Sequence, residues 1–184
     1  MTLTETPICN FGEKAKNFDL TSTENKKTSF DNVKGKNGTL IMFICNHCPY
    51  VKAVIKDIVE DTKCLETLGI KSAAIMSNDV KNYPEDSFEN MISFSKTHEF
   101  TFPYLIDETQ EVAKEYGAVC TPDFFGYNKN LELQYRGRIR ELKNLKPIRT
   151  GDSDLKSAMK SVAKSGKGPT NQVPSMGCSI KWFK

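Results

Sequence analysis

The hydrophobic residues of the chain change their spacing from one stretch to the next, and each spacing predicts a different element. Residues 39–44, TLIMFI, form a continuous apolar run of the kind found in central strands that are covered on both faces. Residues 70–77, IKSAAIMS, predict a second buried strand. Between the two strands, four apolar residues recur at helical spacing: Val51, Val54, Ile55 and Ile58. This periodicity predicts an amphipathic helix that ends near Gly69.

Shorter elements are predicted on both sides of this strand–helix–strand unit. The first 38 residues are polar and rich in turn-forming residues, and they predict a small hairpin that leads into the main sheet. A helix is expected to start near Asp86, because Glu89 is placed three residues later to complete a capping box. A shorter helix is expected after residues 102–107, and Gly117 is expected to end it.

The last third of the chain adds one strand, one helix and a tail. Leu131, Leu133 and Tyr135 alternate with polar residues, which predicts a half-buried strand. Helical spacing returns over residues 155–162 and predicts the last helix. Residues 166–184 are rich in glycine and proline but end in an apolar cluster, so we expect this tail to pack on the domain. The order of the elements favours a mixed α/β sheet with helices on both faces.

Composition and charge narrow the class of protein. The 184 residues suit a single domain, residues 1–184, in which residues 1–38 form an N-terminal extension. A hydrophobic content of 38% and a charged content of 27% are those of a globular chain. The net charge of +3 comes with scattered lysines, so no nucleic-acid partner is expected. The chain shows neither an apolar run of roughly 20 residues nor a secretory signal, which predicts a cytoplasmic protein without membrane contact.

Two cysteines, Cys45 and Cys48, mark the boundary between the first buried strand and the long helix. In a reducing compartment such a close pair is typical of catalytic, redox-sensing or metal-binding sites rather than of structural disulfides. We expect free N–H groups and the helix dipole to stabilise the thiolate of Cys45. Cys45 would then attack a substrate disulfide, and Cys48 would resolve the mixed disulfide. The sequence therefore predicts a thiol–disulfide oxidoreductase that needs no cofactor besides its two thiols.

Four separated motifs carry a resemblance to a known family: FICNHCPYVKA, SNDVKNYPED, GAVCTPDFF and PSMGCSIKW. The strand–CxxC–helix unit resembles the thioredoxin superfamily. The four motifs together resemble the alkyl hydroperoxide reductase/thiol-specific antioxidant (redoxin) family over essentially the whole chain. The resemblance implies a thioredoxin-like fold, with a central mixed sheet flanked by helices, an N-terminal hairpin extension and a C-terminal tail. It also implies a cis peptide bond between Thr121 and Pro122, which would face the cysteine pair and bind the substrate backbone.

The same resemblance raises a second activity, that of a peroxiredoxin-like thiol peroxidase with an antioxidant role. Peroxiredoxins typically place a Pro-x-x-x-Thr-x-x-Cys motif around the reactive cysteine. Counting back from Cys45, the threonine position holds Met42 and the proline position holds Gly38. Counting back from Cys48, these positions hold Cys45 and Ile41. Neither cysteine has the hydroxyl that would position a peroxide, so disulfide exchange is the preferred hypothesis and peroxidase activity is the alternative.

A copper-binding chaperone of thioredoxin fold is the remaining alternative, because such a protein uses two cysteines and a histidine. The chain has only two histidines, His47 and His98, and a structural zinc site usually takes four ligands. We therefore predict no metal. The expected substrates are protein or small-molecule disulfides, or peroxides under the peroxidase alternative, and the expected electron donor is another redox protein.

Three further residues are candidates for roles at the site. His47 directly precedes Cys48, and we expect it to lower the pKa of Cys45. The strongly oxidising periplasmic disulfide-forming proteins resemble this arrangement. Cys178 belongs to the tail motif, and Cys120 lies two residues before Pro122. Both are candidate additional redox cysteines, with passive burial as the alternative for each.

Overall fold

The computed structural model describes residues 2–184 and contains strands and helices in alternation. The strands are β1 (Leu3–Glu5), β2 (Asp19–Ser22), β3 (Lys27–Ser29), β4 (Gly38–Phe43), β5 (Ile70–Met76), β6 (Tyr104–Ile106), β7 (Cys120–Thr121), β8 (Asp123–Asn128), β9 (Leu133–Tyr135), β10 (Leu142–Lys143), β11 (Lys146–Pro147) and β12 (Met176–Ser179). The α-helices are α1 (Phe30–Val33), α2 (Pro49–Thr67), α3 (Phe88–Thr97), α4 (Glu111–Tyr116) and α5 (Asp154–Ser165). A 3-10 turn spans Pro84–Asp86.

A seven-stranded mixed sheet forms the centre of the molecule, in the order β3-β2-β6-β5-β4-β8-β9. The middle strand β4 pairs in parallel with β5 and antiparallel with β8, and all six of its residues are buried. Its side chains alternate between two cores. Leu40 and Met42 pack with residues of α2 and α5, whereas Ile41 and Phe43 pack with residues of α1 and α4. The predicted mixed α/β sheet with helices on both faces is confirmed.

The N-terminal residues join this sheet at its edge. Strands β2 and β3 form an antiparallel hairpin, and β2 also pairs with β6. The hairpin predicted for the first 38 residues is therefore present, and it extends the main sheet by two strands. Among the described residues, none of the helices combines the length and the apolar character needed to cross a bilayer.

One predicted helix start is wrong. The helix expected near Asp86 begins at Phe88, and Ser87 caps it by accepting a hydrogen bond from the N–H of Asn90 at 3.3 Å. The carboxylate of Asp86 is engaged by Asn46, His47 and Asn78, so the serine serves as the cap. Asp86 ends the preceding 3-10 turn instead, and its side chain is fully buried.

A second sheet joins the two ends of the described chain beside the main sheet. Its strand order is β1-β12-β7, with both pairings antiparallel. The backbones of β12 and β7 approach closely: a Cβ added at Gly177 would lie 2.0 Å from the carbonyl oxygen of Thr121. Only glycine leaves room for this contact. The tail, residues 166–184, thereby places Cys178 directly opposite Thr121 in the register.

Candidate redox site

The two cysteines of the CxxC motif lie where β4 ends and α2 begins. Cys48 is the N-cap residue of α2, and Pro49 occupies its first turn, where a missing N–H costs no hydrogen bond. Both cysteines are almost fully buried, with 1% of Cys45 and none of Cys48 exposed. All of the cysteines in the described residues are thiols rather than disulfides. The site is therefore a buried dithiol.

The loop between β7 and β8 closes over this pair. The peptide bond between Thr121 and Pro122 is cis, as the family resemblance predicted. The hydroxyl Oγ1 of Thr121 lies 3.3 Å from the Sγ of Cys45, and the thiol of Cys48 donates a hydrogen bond of 3.2 Å to the carbonyl oxygen of Thr121. One residue thus contacts both sulfurs, the first through its side chain and the second through its backbone.

The backbone of Thr121 also has a second set of partners within the chain. Its strand β7 pairs with β12, so that Thr121 lies opposite Cys178 and Cys120 lies opposite Ser179. The Ser175 hydroxyl donates a hydrogen bond of 2.7 Å to the carbonyl oxygen of Pro122. The predicted role of Thr121 and Pro122 in binding the substrate backbone stays a prediction, because the tail strand already engages this loop.

A histidine–aspartate pair borders Cys45. The Nδ1 atom of His47 lies 2.6 Å from the Oδ2 atom of Asp86 and 3.9 Å from the Sγ of Cys45. The carboxylate of Asp86 also accepts hydrogen bonds from the N–H groups of Asn46 and His47, at 2.8 and 3.2 Å, and from the Nδ2 of Asn78, at 2.8 Å. Asp86 therefore holds the two residues between the cysteines in place by three contacts.

Sequence reasoning missed Asp86 as a residue of the site. It read this aspartate as the start of a helix, although the loop around it follows β5 at the carboxyl edge of the sheet. Open α/β sheets carry their ligand sites at that edge. The signal that was available is therefore positional: an acidic residue in a loop that the topology brings next to the end of β4.

The electrostatics of the pair favour an ion pair. The hydrogen bond that His47 donates to Asp86 raises the pKa of His47 above its ordinary value, although partial burial opposes this. Burial alone would raise the pKa of Asp86, but the hydrogen bonds from His47 and Asn78 outweigh it and lower that pKa. The imidazolium therefore points its Nδ1–H at Asp86, and it faces Cys45 as a nearby positive charge.

We expect Asp86→Asn to lower the pKa of His47, because the imidazolium loses the carboxylate that stabilises it while its partial burial remains. The substitution is also expected to destabilise the fold by about 1–3 kcal/mol, because buried donors lose a charged acceptor. Titration of the histidine ring signals by NMR measures the first effect. His98, the other histidine of the chain, gives an internal reference in the same spectrum.

The pH dependence of stability follows from the same two shifts. A raised pKa for His47 stabilises the fold below its unfolded value of about 6.5, and this contribution is lost as the pH rises through the folded value. A lowered pKa for Asp86 stabilises the fold above about pH 3.9. The difference between wild type and Asp86→Asn should therefore be largest between about pH 4 and 6.5. Glu85→Gln removes an equal charge from the exposed neighbour, and an equal shift of His47 in that variant would contradict the assignment.

The two thiols of the motif differ in their ionisation. The pKa of Cys48 is lowered to about 5, first because the Cys45 thiol donates a hydrogen bond to it, and further because Cys178 and the N–H of Val51 do the same. The pKa of Cys45 is raised by its hydrogen bond to Cys48, by burial and by the negative charge of Asp86. The predicted stabilised thiolate on Cys45 stays a prediction, because the two thiols share a hydrogen bond and the shifts of their pKa values are linked.

The two candidate additional cysteines occupy different positions. The Sγ atom of Cys178 lies 3.0 Å from the Sγ of Cys48, and its side chain is buried. The Sγ atom of Cys120 instead lies 3.6 Å from the carbonyl oxygen of Pro122, and burial raises its pKa far above the ordinary value. Cys178 thus adjoins the dithiol, and Cys120 packs behind the loop as a neutral thiol.

One group of side chains near the dithiol could hold a metal ion. The Sγ of Cys45, a ring nitrogen of His47 and a carboxylate oxygen of Asp86 lie within 4.8 Å of one another. A thiolate, an imidazole and a carboxylate suit Zn(II) better than Cu(I), which favours soft sulfur ligands. Cys48 does not belong to this group.

A cavity of about 400 Å³ lies beside the loop, and Tyr50, Pro122 and Ile139 contribute to its lining. Tyr50 follows the motif directly and Pro122 is the residue after Thr121. The cavity therefore borders the site on the side of β12, where it is large enough for one or two amino-acid side chains.

Comparisons with known proteins place this geometry in a group of redox proteins. The model of the AhpC/TSA family matches residues 11–142. Comparison with curated protein sequences gave no match.

Two solved structures resemble the whole chain. An uncharacterized conserved protein from Geobacillus kaustophilus is 39% identical, with a TM-score of 0.93 over 100% of this chain and 97% of that one. A hypothetical protein from Sinorhizobium meliloti 1021 is 34% identical, with a TM-score of 0.90 over 98% of each chain. A putative protein disulfide isomerase from Bacteroides thetaiotaomicron shares the fold at 16% identity, with a TM-score of 0.66 over 90% of this chain and 96% of that one.

Proposed function

Because the chain belongs to the AhpC/TSA family, whose members are redox enzymes, we propose that it is a thiol–disulfide oxidoreductase acting through Cys45 and Cys48. One observation carries the proposal: Cys45 and Cys48 lie buried at the start of α2, and Thr121, the residue before the cis proline, contacts both sulfurs. Such a pair can both open a substrate disulfide and close its own. The predicted thioredoxin-like fold is confirmed by the mixed sheet and by the solved structures that share it.

The first step uses the proton that the two sulfurs share. Once Cys48 has released to water the proton that it donates to the Thr121 carbonyl, its thiolate, enclosed by Thr121, Cys178 and Cys45, acts as the base rather than as the attacking group. The proton of Cys45 moves to Cys48 as the Cys45 sulfur attacks one sulfur of the substrate disulfide. A bond forms between Cys45 and that sulfur, and the other substrate sulfur leaves with the electron pair. The imidazolium of His47, whose Nδ1 lies 3.9 Å from the Cys45 sulfur, supplies a positive charge beside the reacting sulfurs.

The second step resolves the mixed disulfide. Cys48 loses its proton again and attacks the Cys45 sulfur, which forms the intramolecular disulfide and releases the second substrate thiolate. The hydrogen bonds that lower the pKa of Cys48 favour this loss at neutral pH. The substrate is reduced by two electrons and the protein is oxidised by two. The reverse sequence oxidises a substrate dithiol.

The contacts of the loop between β7 and β8 indicate where the substrate binds. We assign substrate binding to Thr121 and Pro122, supported by the position of Thr121 against both sulfurs and by the cavity beside Pro122. The substrates are protein or small-molecule disulfides. A separate redox protein in the cytoplasm supplies the electrons, because each turnover that reduces a substrate leaves the dithiol oxidised by two electrons.

The test compares two substrates with the fully reduced protein. Consumption of hydrogen peroxide and of a disulfide-bonded peptide is followed by thiol loss and by the fluorescence of Trp182. We expect the peptide to be reduced and residues 37–52, a tryptic peptide, to lose 2 Da as the disulfide forms. The expected rate with peroxide is no greater than that of a free thiolate. A peroxide rate orders of magnitude higher would replace this function with the peroxidase alternative.

The peroxidase alternative has one observation of its own. The Thr121 hydroxyl lies 3.3 Å from the Cys45 sulfur, so a hydroxyl is present at this thiol although the sequence motif that normally supplies it is missing. If Thr121 positions peroxide, Thr121→Val should lower the rate with peroxide far more than the rate with a disulfide. Equal losses with both substrates would count against a peroxidase.

A further inference from the structure

We propose that Cys178 is a third redox cysteine, which takes the disulfide over from Cys45 by bonding to Cys48. The proposal rests on the proposed exchange at Cys45 and Cys48, and it adds a second disulfide to the same site. Cys178 is 130 residues from Cys48 in the sequence, yet their Sγ atoms are 3.0 Å apart. A disulfide bond is about 2.05 Å long, so the two sulfurs need to approach by roughly 1 Å.

The fold holds Cys178 in this position by several independent contacts. Strand β12 is paired on both sides, with β1 through the pair Leu3–Cys178 and with β7 through the pair Cys178–Thr121. Gly177 allows the backbone of β12 to press against the carbonyl of Thr121. Since Cys48 also hydrogen-bonds to that carbonyl, one small area fixes both sulfurs. A residue that only filled space would not require such a close approach of backbone and thiol.

The second cysteine of the motif is the geometric partner of Cys178. Cys48 contacts Cys178, whereas the named contacts of Cys45 are to His47, to Thr121 and to Cys48. A disulfide between Cys48 and Cys178 would therefore leave Cys45 as the remaining thiol. The tail strand lies along the loop in the manner of an internal substrate, presenting its thiol to the enclosed sulfur of the motif.

The exchange conserves electrons and needs no further oxidant. Starting from the Cys45–Cys48 disulfide, the thiol of Cys178 gives its proton to water, and its thiolate bonds to the Cys48 sulfur. The bond between Cys45 and Cys48 breaks, and the electron pair stays on Cys45, which becomes the thiolate. The protein remains oxidised by two electrons. Cys45 is then free to attack a new disulfide, but Cys48 cannot resolve the product until Cys178 returns it.

This exchange controls how long Cys48 stays bonded to Cys178 and therefore cannot resolve a mixed disulfide at Cys45. Burial and the hydrogen bond to Cys48 raise the pKa of Cys178 to about 12, so its thiolate is scarce at neutral pH. The attack should therefore be slow at pH 7 and should accelerate about tenfold per pH unit up to pH 9.

The test maps disulfides by mass spectrometry in three proteins after oxidation with diamide. Trypsin places Cys45 and Cys48 on residues 37–52 and Cys178 on residues 168–181. Cys45→Ser and Cys48→Ser each leave one motif thiol, so they form a matched pair. We expect the linked peptide of 37–52 with 168–181 in Cys45→Ser and not in Cys48→Ser. In wild type, we expect its fraction to approach equilibrium faster as the pH rises from 7 to 9.

Two failures are distinguishable. Wild-type protein that forms neither the 2 Da lighter peptide 37–52 nor the linked peptide fails the proposed function. Wild type that forms the lighter peptide, together with Cys45→Ser that retains both remaining thiols or links them only between molecules, overturns the role of Cys178. Circular dichroism of each variant before oxidation shows whether the fold is intact. Cys178→Ser, which removes the third thiol alone, should lose the linked peptide.

Discussion

Replacing Cys45 by serine is expected to lower the rate of disulfide exchange at least about 10³-fold, because the attacking sulfur is lost and a hydroxyl cannot replace it as a nucleophile. Cys48→Ser is expected to behave differently. In this variant the attack of Cys45 on the substrate disulfide should still occur but more slowly, because Cys45 keeps its sulfur but loses the thiolate that takes its proton. The second step is lost, so the variant should accumulate a mixed disulfide with the substrate.

The measurement is a single-turnover reaction of each reduced variant with a peptide disulfide of known mass. A peptide adduct on Cys45 in the Cys48→Ser protein, and none in the Cys45→Ser protein, is the expected outcome. Cys64→Ser is a suitable control, because it removes a half-buried cysteine from α2 without touching the site. Adducts on Cys48 in the Cys45→Ser protein, formed at the wild-type rate, would show that Cys48 is the attacking cysteine.

The second large effect is on stability, at the ion pair behind the loop. Asp123 is fully buried, and it accepts hydrogen bonds from Arg136 at 3.3 Å through Nε and at 2.9 Å through Nη2. Asp123→Asn leaves the guanidinium of Arg136 buried with no charged partner. We expect a loss of about 3–5 kcal/mol in the free energy of unfolding. For a chain of this size the melting temperature should fall by roughly 10 °C.

A double-mutant cycle separates the contribution of the Asp123–Arg136 pair to stability from the contributions of the surrounding residues. Burial raises the pKa of Asp123 although Arg136 opposes this, so the carboxylate by itself gains nothing from folding. The loss of unfolding free energy in Asp123→Asn should therefore come from the guanidinium of Arg136, which is left buried without a charged partner. The double variant with Arg136→Met should be more stable than Asp123→Asn alone, as measured by thermal and urea unfolding. An Asp123→Asn protein within about 1 kcal/mol of wild type would refute this account.

The elements with regular hydrophobic spacing could be predicted from the sequence. The apolar run of β4 and the helical repeat of α2 each depend on burial of their own side chains, so the pattern is local. The position of the CxxC motif, at the junction of β4 and α2, then follows from the order of the elements. The cis bond before Pro122 came from the family resemblance, because spacing alone carries no information on the isomer of an X-Pro bond.

The rest of the site depends on contacts between distant parts of the chain. The position of Asp86 in the loop after β5 indicates only the edge of the sheet where it lies, whereas its contact with His47 follows from how that loop folds back over the end of β4. Cys178 reaches Cys48 only because a glycine lets β12 lie against β7. The ionisation of the two motif thiols also depends on distant contacts, such as those of Cys48 with Thr121 and Cys178, which the sequence does not show.

The separation of Cys48 and Cys178 also has a consequence for the newly made protein. The two residues are 130 positions apart. A ribosome that adds about 5–20 residues per second needs roughly 6–26 s to cover that distance. During this interval Cys45 and Cys48 have been synthesised, and the strand that carries Cys178 has not. Of the three cysteines that meet at the site, the nascent chain therefore exposes only the first two to the cell's thiols and oxidants, and among these three only Cys45 and Cys48 can pair during this interval.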